Sequence, residues 1–356
     1  MTSTDFSMKP DTNVIISSVK TCLPDFIPTG EPEKLTGGNL NYVWRLTGDD
    51  RSVIVKHAPP HIAVNPEVPL NQNRIHFETK ALRLFSEDGI LSNLSNDKVA
   101  PPDIYGFDPE LHLLIMEDVM PAVPFFDAVL ENKLNPDTGY KLGKFIGQLH
   151  QVTFQKELFR NEFNNLPIQE TRLELQYKSV AESLEKAGFK NTKTAALHAE
   201  ILGKKLLETG NCLLMGDLWP PSIFIQKKTI RLIDWEFTHY GRPLQDIAHF
   251  GAHCFLNHTA QKNGNDGAFK KLWSSFLNGY KNGAVNKYSL LITENEKKWI
   301  SVHTGAEILV RTAGAFKNGY LFEDIPVSDP RLVKAVQKAQ ELLALKKETP
   351  EPEELW

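Results

Sequence analysis

Residues 213–225, LLMGDLWPPSIFI, place a single carboxylate at the end of an apolar strand. The apolar run leads into Gly216 and Asp217, a Trp-Pro-Pro turn follows, and a second apolar strand begins after Ser222. Because proline fixes its own φ angle, the two prolines restrict the turn that follows the acid. The stretch therefore predicts a rigidly held acid, which is either a catalytic base or only a turn residue.

A second acidic strand end follows a few residues later, in IDWEF at 233–237. Asp234 ends an apolar strand, and Glu236 lies two residues further on. Alternation along an extended chain predicts that both carboxylates lie on one side. Paired acids at this spacing suit Mg²⁺, which prefers one or two carboxylates together with substrate phosphates. The alternative is one helix cap and one surface acid.

Three features upstream suit phosphate binding. The Gly37-Gly38-Asn39 turn lies between two predicted strands, where glycine lets backbone N–H groups approach phosphate oxygens. Lys56 ends an apolar strand, and Glu78 lies early on the next predicted helix, where a carboxylate can pair with that lysine. Each feature has a plainer interpretation: a turn that binds nothing, a lysine in water and a solvated helix charge. Together with the two acidic strand ends, they match the requirements of phosphoryl transfer.

The composition excludes several classes of protein. The chain has 356 residues, 41% of them hydrophobic, and a formal net charge of -4, so it has no overall basic field for nucleic acid or an anionic membrane. Its three cysteines, Cys22, Cys212 and Cys254, are too few and too far apart for a disulfide framework. No stretch approaches the roughly 18 apolar residues of a membrane span, and no signal-peptide pattern opens the chain. We therefore expect a cytoplasmic protein that binds neither nucleic acid nor a membrane.

The pattern of strands and helices changes near residue 120. The first part is predicted to hold strands at Tyr42–Leu46 and Ser52–His57, a proline-broken loop after Pro59, a helix in 74–87, and two strands around the 108–110 turn. After Pro121 the apolar residues recur at helical spacing. The last helix is predicted over 328–347, with a buried stripe of Leu332, Val333, Val336, Leu342 and Leu343.

This layout predicts an α+β fold in four parts. They are an N-terminal extension (1–29), a small β-rich lobe (30–119), a larger helical lobe (120–347) and a flexible tail (348–356).

The order and spelling of these motifs resemble the protein-kinase-like fold of small-molecule kinases, the aminoglycoside phosphotransferase superfamily, and within it methylthioribose kinase most. The matching stretches, which cover roughly residues 30 to 325, are GGNLNYVWRL (37–46), SVIVKHAPPHI (52–62), NRIHFETKAL (73–82), GDLWPPSI (216–223) and IDWEFTHYG (233–241). The resemblance implies two lobes: a small antiparallel-sheet N-lobe and a large helical C-lobe. It also implies ATP and Mg²⁺ as cofactors, and the family is often dimeric, so a homodimer is one expectation.

The resemblance also implies a role for each matching position. Asp217 would be the catalytic base, and Asp246 would support its loop. Mg²⁺ would be held by Asp234 and Glu236, with Ser222 where most of the superfamily has a metal-binding Asn. The nucleotide would be bound by Gly38, Asn39 and Lys56, with Glu78 as the partner of the lysine, and by the hinge residues Met116, Glu117 and Val119, whose backbone would contact adenine.

The chain departs from the family at three places. Met215 replaces a largely structural His, and Trp219 with the two prolines replaces His-Thr-Gly after the base, which makes Trp219 a candidate wall of the acceptor pocket. In GAEILVRTAG (305–314) the Arg pair of the family is reduced to Arg311, because the first position is Val310. Arg311 is therefore either a substrate contact or a helix-surface charge.

The sequence favours an ATP-dependent kinase that phosphorylates a hydroxyl of a small polar acceptor, with a methylthioribose-like sugar first. Two alternatives stay open. One is a kinase for an amino alcohol or an aminoglycoside-like acceptor. The other is a nucleotide-binding pseudokinase, which the irregular catalytic loop suggests.

Overall fold

The structure, a computed structural model, describes residues 9–36, 40–96, 98–131, 137–261, 267–345 and 352–355. By packing, the chain divides into two units. The first contains the residues up to Ala122 together with Gln226–Thr238, and the second contains Val123–Ile225 and the residues from His239 onward. The segment Gln226–Thr238 therefore packs with the first unit. A single chain division near residue 120, as the sequence suggests, would place this segment in the second unit.

The secondary structure follows the chain in this order. The strands are β1 Glu33–Lys34, β2 Tyr42–Thr47, β3 Ser52–His57, β4 His61–Ile62, β5 Asn65–Pro69, β6 Val99–Ala100, β7 Ile104–Asp108, β8 Leu113–Glu117, β9 Val123–Pro124, β10 Cys212–Leu214, β11 Ile223–Gln226, β12 Thr229–Leu232 and β13 His239–Gly241. The helices are α1 Thr12–Cys22, α2 Arg74–Phe85, α3 Phe125–Leu130, α4 Asp137–Thr153, α5 Glu157–Glu162, α6 Leu166–Arg172, α7 Val180–Lys186, α8 Lys193–Lys205, α9 Leu244–Ala260, α10 Ala268–Ala284, α11 Tyr288–Leu291, α12 Glu294–Thr312 and α13 Pro330–Leu343. Short 3₁₀ turns lie at Ser92–Leu94, Pro220–Ser222, Trp235–Phe237, Val285–Lys287 and Pro352–Leu355, and a π turn at Leu173–Tyr177 continues α6.

The first unit is built on a five-stranded antiparallel sheet in the order β1-β2-β3-β8-β7. The register of β2 and β3 runs from Tyr42 opposite His57 to Thr47 opposite Ser52. The predicted strand pair and the predicted strands on either side of the 108–110 turn are both confirmed. The alternation of apolar residues in these segments places one face of each strand in a core.

Helix α1 packs on one face of this sheet, although residues 1–29 were predicted only as an extension. Its Ile15 and Val19 are buried in one core with residues of four strands or loops: Phe26, Trp44, Leu46, Val53, Val55, Leu113 and Ile115. The helix begins at an Asp11 cap, whose side chain accepts a hydrogen bond from the Val14 amide at 2.9 Å. This segment is part of the fold because it covers a sheet face that would otherwise be exposed.

The predicted helix after the proline-rich segment is confirmed as α2, but the segment itself is not a long loop. Residues His61–Ile62 and Asn65–Pro69 pair as a short antiparallel hairpin. Pro66 and Pro69 lie in its second strand, which is an edge position where a missing N–H donor is tolerated.

Helices dominate the second unit, and α4 and α10 approach each other closely. Gly143 on α4 faces the Phe276 carbonyl, and a Cβ atom there would lie 2.0 Å from that oxygen. Gly279 on α10 is equally restricted, since its Cβ would lie 2.0 Å from the Tyr140 carbonyl. The two glycines therefore permit a backbone contact that any larger residue would prevent.

Helix α13 begins at the predicted Asp329 cap, but its buried stripe differs from the predicted one. Val333 is exposed and Leu342 is only half-buried, whereas Ala335 and Ala339 are buried with Leu332, Val336 and Leu343. The buried face follows the 3.6-residue period of the helix and includes two alanines. The prediction chose larger apolar residues instead of these alanines. Within the segment predicted as a flexible tail, Pro352–Leu355 forms a 3₁₀ turn, and Leu355 is buried.

The three cysteines are free thiols, and Cys212 and Cys254 are buried. Burial raises the pKa of both thiols well above the usual value. Among the helices that the structure describes, none is long and apolar enough to cross a membrane.

Candidate active site

Strand β3 places Lys56 on the sheet face opposite Val53 and Val55, where it meets three carboxylates. Its Nζ lies 2.8 Å from Glu78 Oε2, 2.9 Å from Asp234 Oδ1 and 3.6 Å from Glu236 Oε1. Burial alone would lower the pKa of the lysine, but the three acids outweigh it and raise that pKa well above its usual value. Lys56 is therefore a fixed, charged ammonium group.

Glu78 holds the lysine from helix α2 and also supports the turn that follows Asp234. Its side chain is fully buried, and Oε1 accepts a hydrogen bond from the Trp235 amide at 3.3 Å. Burial raises the pKa of Glu78 to about 7, against the opposing effect of Lys56. One carboxylate thus ties the lysine on β3 to the acidic turn after β12.

Asp234 and Glu236 share Lys56, but not because the chain between them is extended. Asp234 has φ 61° and ψ 62°, in the left-handed region, and Trp235–Phe237 forms a 3₁₀ turn. The strand-alternation argument is therefore wrong, because a turn and not a pleat brings the two acids toward the lysine. A left-handed aspartate is a local cost that surrounding contacts must offset.

The two acids differ in their surroundings. The Asp234 side chain is 35% exposed, and its contact with Lys56 is made through Oδ1. Glu236 is buried: Asn41 Nδ2 lies 2.9 Å from each of its oxygens, and Arg74 Nε lies 3.3 Å from Oε2. The Arg74 guanidinium also donates to the backbone carbonyls of Leu40, Pro59 and Asn71.

These surroundings bear on how well a divalent cation would fit. Asp234 fits best, since it is a partly exposed carboxylate of the type that Mg²⁺ prefers. Glu236 is already neutralised by Arg74, so a metal would have to compete with existing contacts. In the second unit, the Ser222 hydroxyl is buried and has no hydrogen-bond partner among the described residues, which leaves its oxygen available to a ligand.

The remaining predicted nucleotide contacts have mixed outcomes. Gly38 and Asn39 lie outside the described residues. Met116 and Val119 are buried, and Glu117 pairs with Arg231 and accepts from the Asp103 amide at 3.1 Å. The Glu117 amide also donates to the Asp103 carbonyl at 2.8 Å, so this residue serves the structure of the strand end. An adenine contact by the hinge stays a prediction.

In the second unit, Asp217 lies on a short loop after β10 and is held by two side chains. Arg172 Nη2 donates to the Gly216 carbonyl at 2.9 Å and to Asp217 Oδ1 at 3.3 Å. His249 Nε2 lies 3.1 Å from the same Oδ1. Burial acts to raise the pKa of Asp217, but the His249 hydrogen bond and nearby cations outweigh it and lower that pKa. The aspartate is therefore kept ionised.

Asp246, at the start of α9, supports this loop from below. Its Oδ2 accepts from the Met215 amide at 3.0 Å, and its Oδ1 accepts from the Gly216 amide at 2.8 Å. His150 Nε2 lies 3.1 Å from Oδ2. This geometry agrees with the structural role expected of Asp246, and Gly216 supplies the left-handed turn with φ 87°.

Trp219 and Arg311, the two predicted acceptor contacts, lie together. The Arg311 guanidinium carbon is 4.4 Å from the centre of the Trp219 ring and 5.6 Å from that of Tyr320. Only 8% of Arg311 is exposed, so it is not a helix-surface charge, and its Nε donates to Glu307 at 2.8 Å. Val310, in contrast, is a core residue.

Sequence reasoning missed Arg172, His249 and Glu307 in the second unit. For His249 a signal existed, because Asp246, His249 and His253 follow one another at i, i+3 and i+7 on a predicted helix and therefore share one face. For Arg172 no local pattern marks its contact with Asp217, which is 45 residues away in sequence.

Comparison with known proteins gives consistent matches. A profile described as "Phosphotransferase enzyme family" matches residues 31–273. The 4-hydroxytryptamine kinase of Psilocybe cyanescens is 26% identical over 271 residues, which is 70% of this chain and 74% of that protein. The methylthioribose kinase of Bacillus thuringiensis (strain Al Hakam) is 24% identical over 314 residues, 78% of this chain and 77% of that protein.

A solved structure supports the predicted fold class. Amicoumacin kinase in complex with AMP-PNP, Ca²⁺ and its ligand superposes with a TM-score of 0.53 and 15% identity, covering 96% of both chains. At this identity the likeness concerns the fold, and it confirms the α+β, protein-kinase-like architecture.

Proposed function

The chain belongs to the phosphotransferase enzyme family, whose relatives here are small-molecule kinases, and from this premise we propose the reaction and the roles of its residues. The protein transfers the γ-phosphate of ATP to a hydroxyl of a small polar acceptor. Phosphoryl transfer depends on positioned charges more than on covalent chemistry by the enzyme, so the argument rests on which charges the fold fixes.

The observation that carries the proposal is the buried Lys56 held by Glu78 at 2.8 Å and by Asp234 at 2.9 Å. Burying an ammonium group costs several kcal/mol, which the surrounding carboxylates offset. The same lysine–glutamate pair orients the phosphate-binding lysine in protein kinases. Lys56 thus binds ATP phosphates, and Asp234 is the group best placed to share them with a cation.

Asp217 takes the role of proton acceptor. Its carboxylate is ionised and held at Oδ1 by Arg172 and His249, so Oδ2 faces the acceptor hydroxyl. The acceptor oxygen attacks the γ-phosphorus, the bond from that phosphorus to the ADP oxygen breaks, and the hydroxyl proton passes to Asp217.

Mg²⁺ is the proposed companion of ATP. Asp234 would hold it, with Glu236 and Ser222 as further candidates. When bound, such an ion neutralises the charge that develops on the phosphates.

For the acceptor, we propose a methylthioribose-like sugar first. Arg311 remains at the position that corresponds to the second arginine of the family's pair, and it is buried beside Trp219. A hydroxylated aromatic amine is the second candidate, because Trp219 and Tyr320 present aromatic rings 5.9 Å apart, on which a planar acceptor can stack. Its motivation includes the similarity to 4-hydroxytryptamine kinase.

The test is direct detection of the phosphorylated product with a panel of acceptors. The panel holds methylthioribose, 4-hydroxytryptamine, an amino alcohol and an aminoglycoside, each with the wild type and with Asp217→Asn. We expect turnover with one class and a loss of about 10²-fold to 10⁴-fold in the variant. Turnover that is indifferent to Asp217 would overturn the mechanism, and turnover only outside the first two acceptors would overturn the substrate assignment.

A pseudokinase gives a different result. It would show a thermal shift with ATP but no product from any acceptor. The retention of Lys56, Asp217 and Asp234 favours the enzyme over this alternative.

A further inference from the structure

We propose that His249 is a positioning residue that fixes the ionised Asp217, and that Glu307 fixes His249 from its other side. This inference rests on the proposed kinase function. It assigns a role to His249 and Glu307, two residues that sequence reasoning missed. His249 lies on α9 with Asp246 and His253, and Glu307 lies on α12 with His303 and Arg311.

The first step is the geometry at Asp217. Among the described residues, both side-chain contacts of its carboxylate fall on Oδ1: His249 Nε2 at 3.1 Å and Arg172 Nη2 at 3.3 Å. Rotation of the carboxylate would break both of these contacts. Oδ2 is therefore presented in a fixed direction, as a base that must meet an acceptor hydroxyl requires.

The second step is the other nitrogen of His249. Its Nδ1 lies 3.6 Å from Glu307 Oε2, so the imidazole lies between two carboxylates, and only 1% of the residue is exposed. An imidazole between two carboxylates has its ring orientation defined by both contacts, and it donates to both only when each nitrogen carries a proton. Glu307 thus fixes the ring orientation in which Nε2 of His249 is directed at Asp217.

The third step is the surrounding charge. Glu307 is held by Arg311 at 2.8 Å, Gln176 at 3.0 Å and His253 at 3.2 Å. On other sides, the His249 ring lies near the rings of His253 and His303, with centroids 5.0 Å and 5.9 Å from its own, while Arg172 contacts the shared Asp217 Oδ1. Burial acts to raise the pKa of Glu307, but the histidines and Arg311 outweigh it and lower that pKa, so Glu307 stays an anion.

A metal centre is the rival interpretation of this cluster. Ligand atoms of His249, His253 and Glu307 lie within 4.8 Å of one another. The Arg311 guanidinium already supplies the positive charge that Glu307 requires, and a dication would lie against it. The arrangement therefore favours a network of charged side chains over a metal centre.

The kinetic test compares three variants across pH in the full chain. His249→Leu removes the donor to Asp217, His249→Gln keeps a donor near the Nε2 position, and His303→Gln changes a buried histidine that bonds Tyr177 instead. Because the His249 contact lowers the pKa of Asp217, its loss raises that pKa, and the fall of kcat/KM on the acid side moves to higher pH.

We expect His249→Leu to lose about 10-fold to 100-fold in kcat/KM at pH 7 and to shift its acid limb upward by about one pH unit or more. His249→Gln should bring the limb back toward the wild-type position, and His303→Gln should leave it in place. A uniform loss at every pH in His249→Leu, with no shift, would overturn the proposal.

A second measurement does not depend on turnover. In histidine-labelled protein, ¹⁵N NMR titration of His249 is compared between the wild type and Asp217→Asn. A shift of the His249 titration in the variant supports the pairing, and an unchanged titration overturns it, even if the proposed kinase activity itself fails. One equivalent of tightly bound zinc that is lost in both His253→Gln and Glu307→Gln would also overturn it, in favour of the metal centre.

Discussion

The guanidinium carbon of Arg311 lies 4.4 Å from the centre of the Trp219 ring, while its Nε donates to Glu307 at 2.8 Å. One arginine therefore joins the irregular loop after Asp217 to the buried carboxylate on α12. Stacking of a guanidinium on indole is worth about 1–2 kcal/mol when both are desolvated. Trp219, which departs from the family pattern, and Arg311, the arginine that remains of the family's pair, thus stabilise each other.

The Trp219 ring is predicted to act on the acceptor and not on ATP. Trp219→Ala removes the aromatic face and frees Arg311, so the KM for the acceptor should rise about tenfold, equivalent to about 1.4 kcal/mol of lost binding. Trp219→Phe keeps a smaller ring and should retain most of the affinity. Steady-state kinetics with each substrate varied in turn measures this, and an equal rise in the KM for ATP would contradict it.

Arg311→Met is predicted to destabilise the second unit in a pH-dependent way. It leaves the buried Glu307 with His253, His249 and Gln176 only, and breaking a buried pair by removing one partner costs about 3–5 kcal/mol. Chemical denaturation at pH 7 should show this loss, and Val333→Met on the exposed face of α13 is the matched control with little change.

The sign of the pH effect follows from Glu307. The pKa of Glu307 is lowered in the folded wild type. The ionised Glu307 therefore stabilises the folded protein at pH values above its unfolded pKa of about 4.5, and this stability is lost as the pH falls through its folded pKa. In Arg311→Met the folded pKa rises. The difference in unfolding free energy between the two proteins should therefore shrink as pH falls below about 5, and a constant difference would contradict this account.

Lys56 is predicted to be required for both ATP binding and the stability of the first unit. Lys56→Met leaves Glu78 and Asp234 without their shared cation, and we expect a loss of about 3–5 kcal/mol and no thermal shift with ATP. Glu78→Gln keeps the Asp234 contact and should be milder, with the KM for ATP raised about tenfold. Lys204→Met removes an exposed pair with Glu200 and should leave the stability nearly unchanged, because solvent screens such a pair. An ATP-induced shift that survives in Lys56→Met would contradict the phosphate role.

The elements with a strict period could be predicted from sequence, and the contacts between distant elements could not. The β2–β3 pair follows from alternation over a short turn, and its register places Lys56 on the sheet face toward α2. Helix α2 follows from its apolar period, so its Glu78 was within reach of a sequence argument. These contacts are decided locally, by one hairpin and the next helix.

The turn at Asp234 shows a different limit. The two acids do converge on Lys56, yet through a left-handed residue and a 3₁₀ turn that no alternation pattern encodes. The contacts of Asp217 with Arg172 and His249 depend on how α6 and α9 pack, which is set by the whole helical core. A buried arginine or histidine carries no sequence mark of the partner it will meet, so these positions required the structure.

Asp246 offers a test of how far loop geometry controls the reaction. Asp246→Leu removes the acceptor of the Met215 and Gly216 amides, and each buried donor left without a partner costs about 1–3 kcal/mol. Because these amides hold the loop that carries Asp217, kcat should fall by about 10²-fold while the KM for ATP stays near the wild-type value. Asp246→Asn keeps one acceptor oxygen, so its kcat should lie between those of the wild type and Asp246→Leu.

The control for this experiment is Asp11→Ala, which removes the cap of α1. That cap accepts from the Val14 amide, and its loss should cost about 1 kcal/mol of stability with kcat unchanged. If Asp246→Leu lost stability but kept its kcat, as Asp11→Ala is expected to do, Asp246 would serve only the stability of the fold. A fall in kcat that Asp11→Ala does not show instead ties the orientation of Asp217 to the two amides that Asp246 holds.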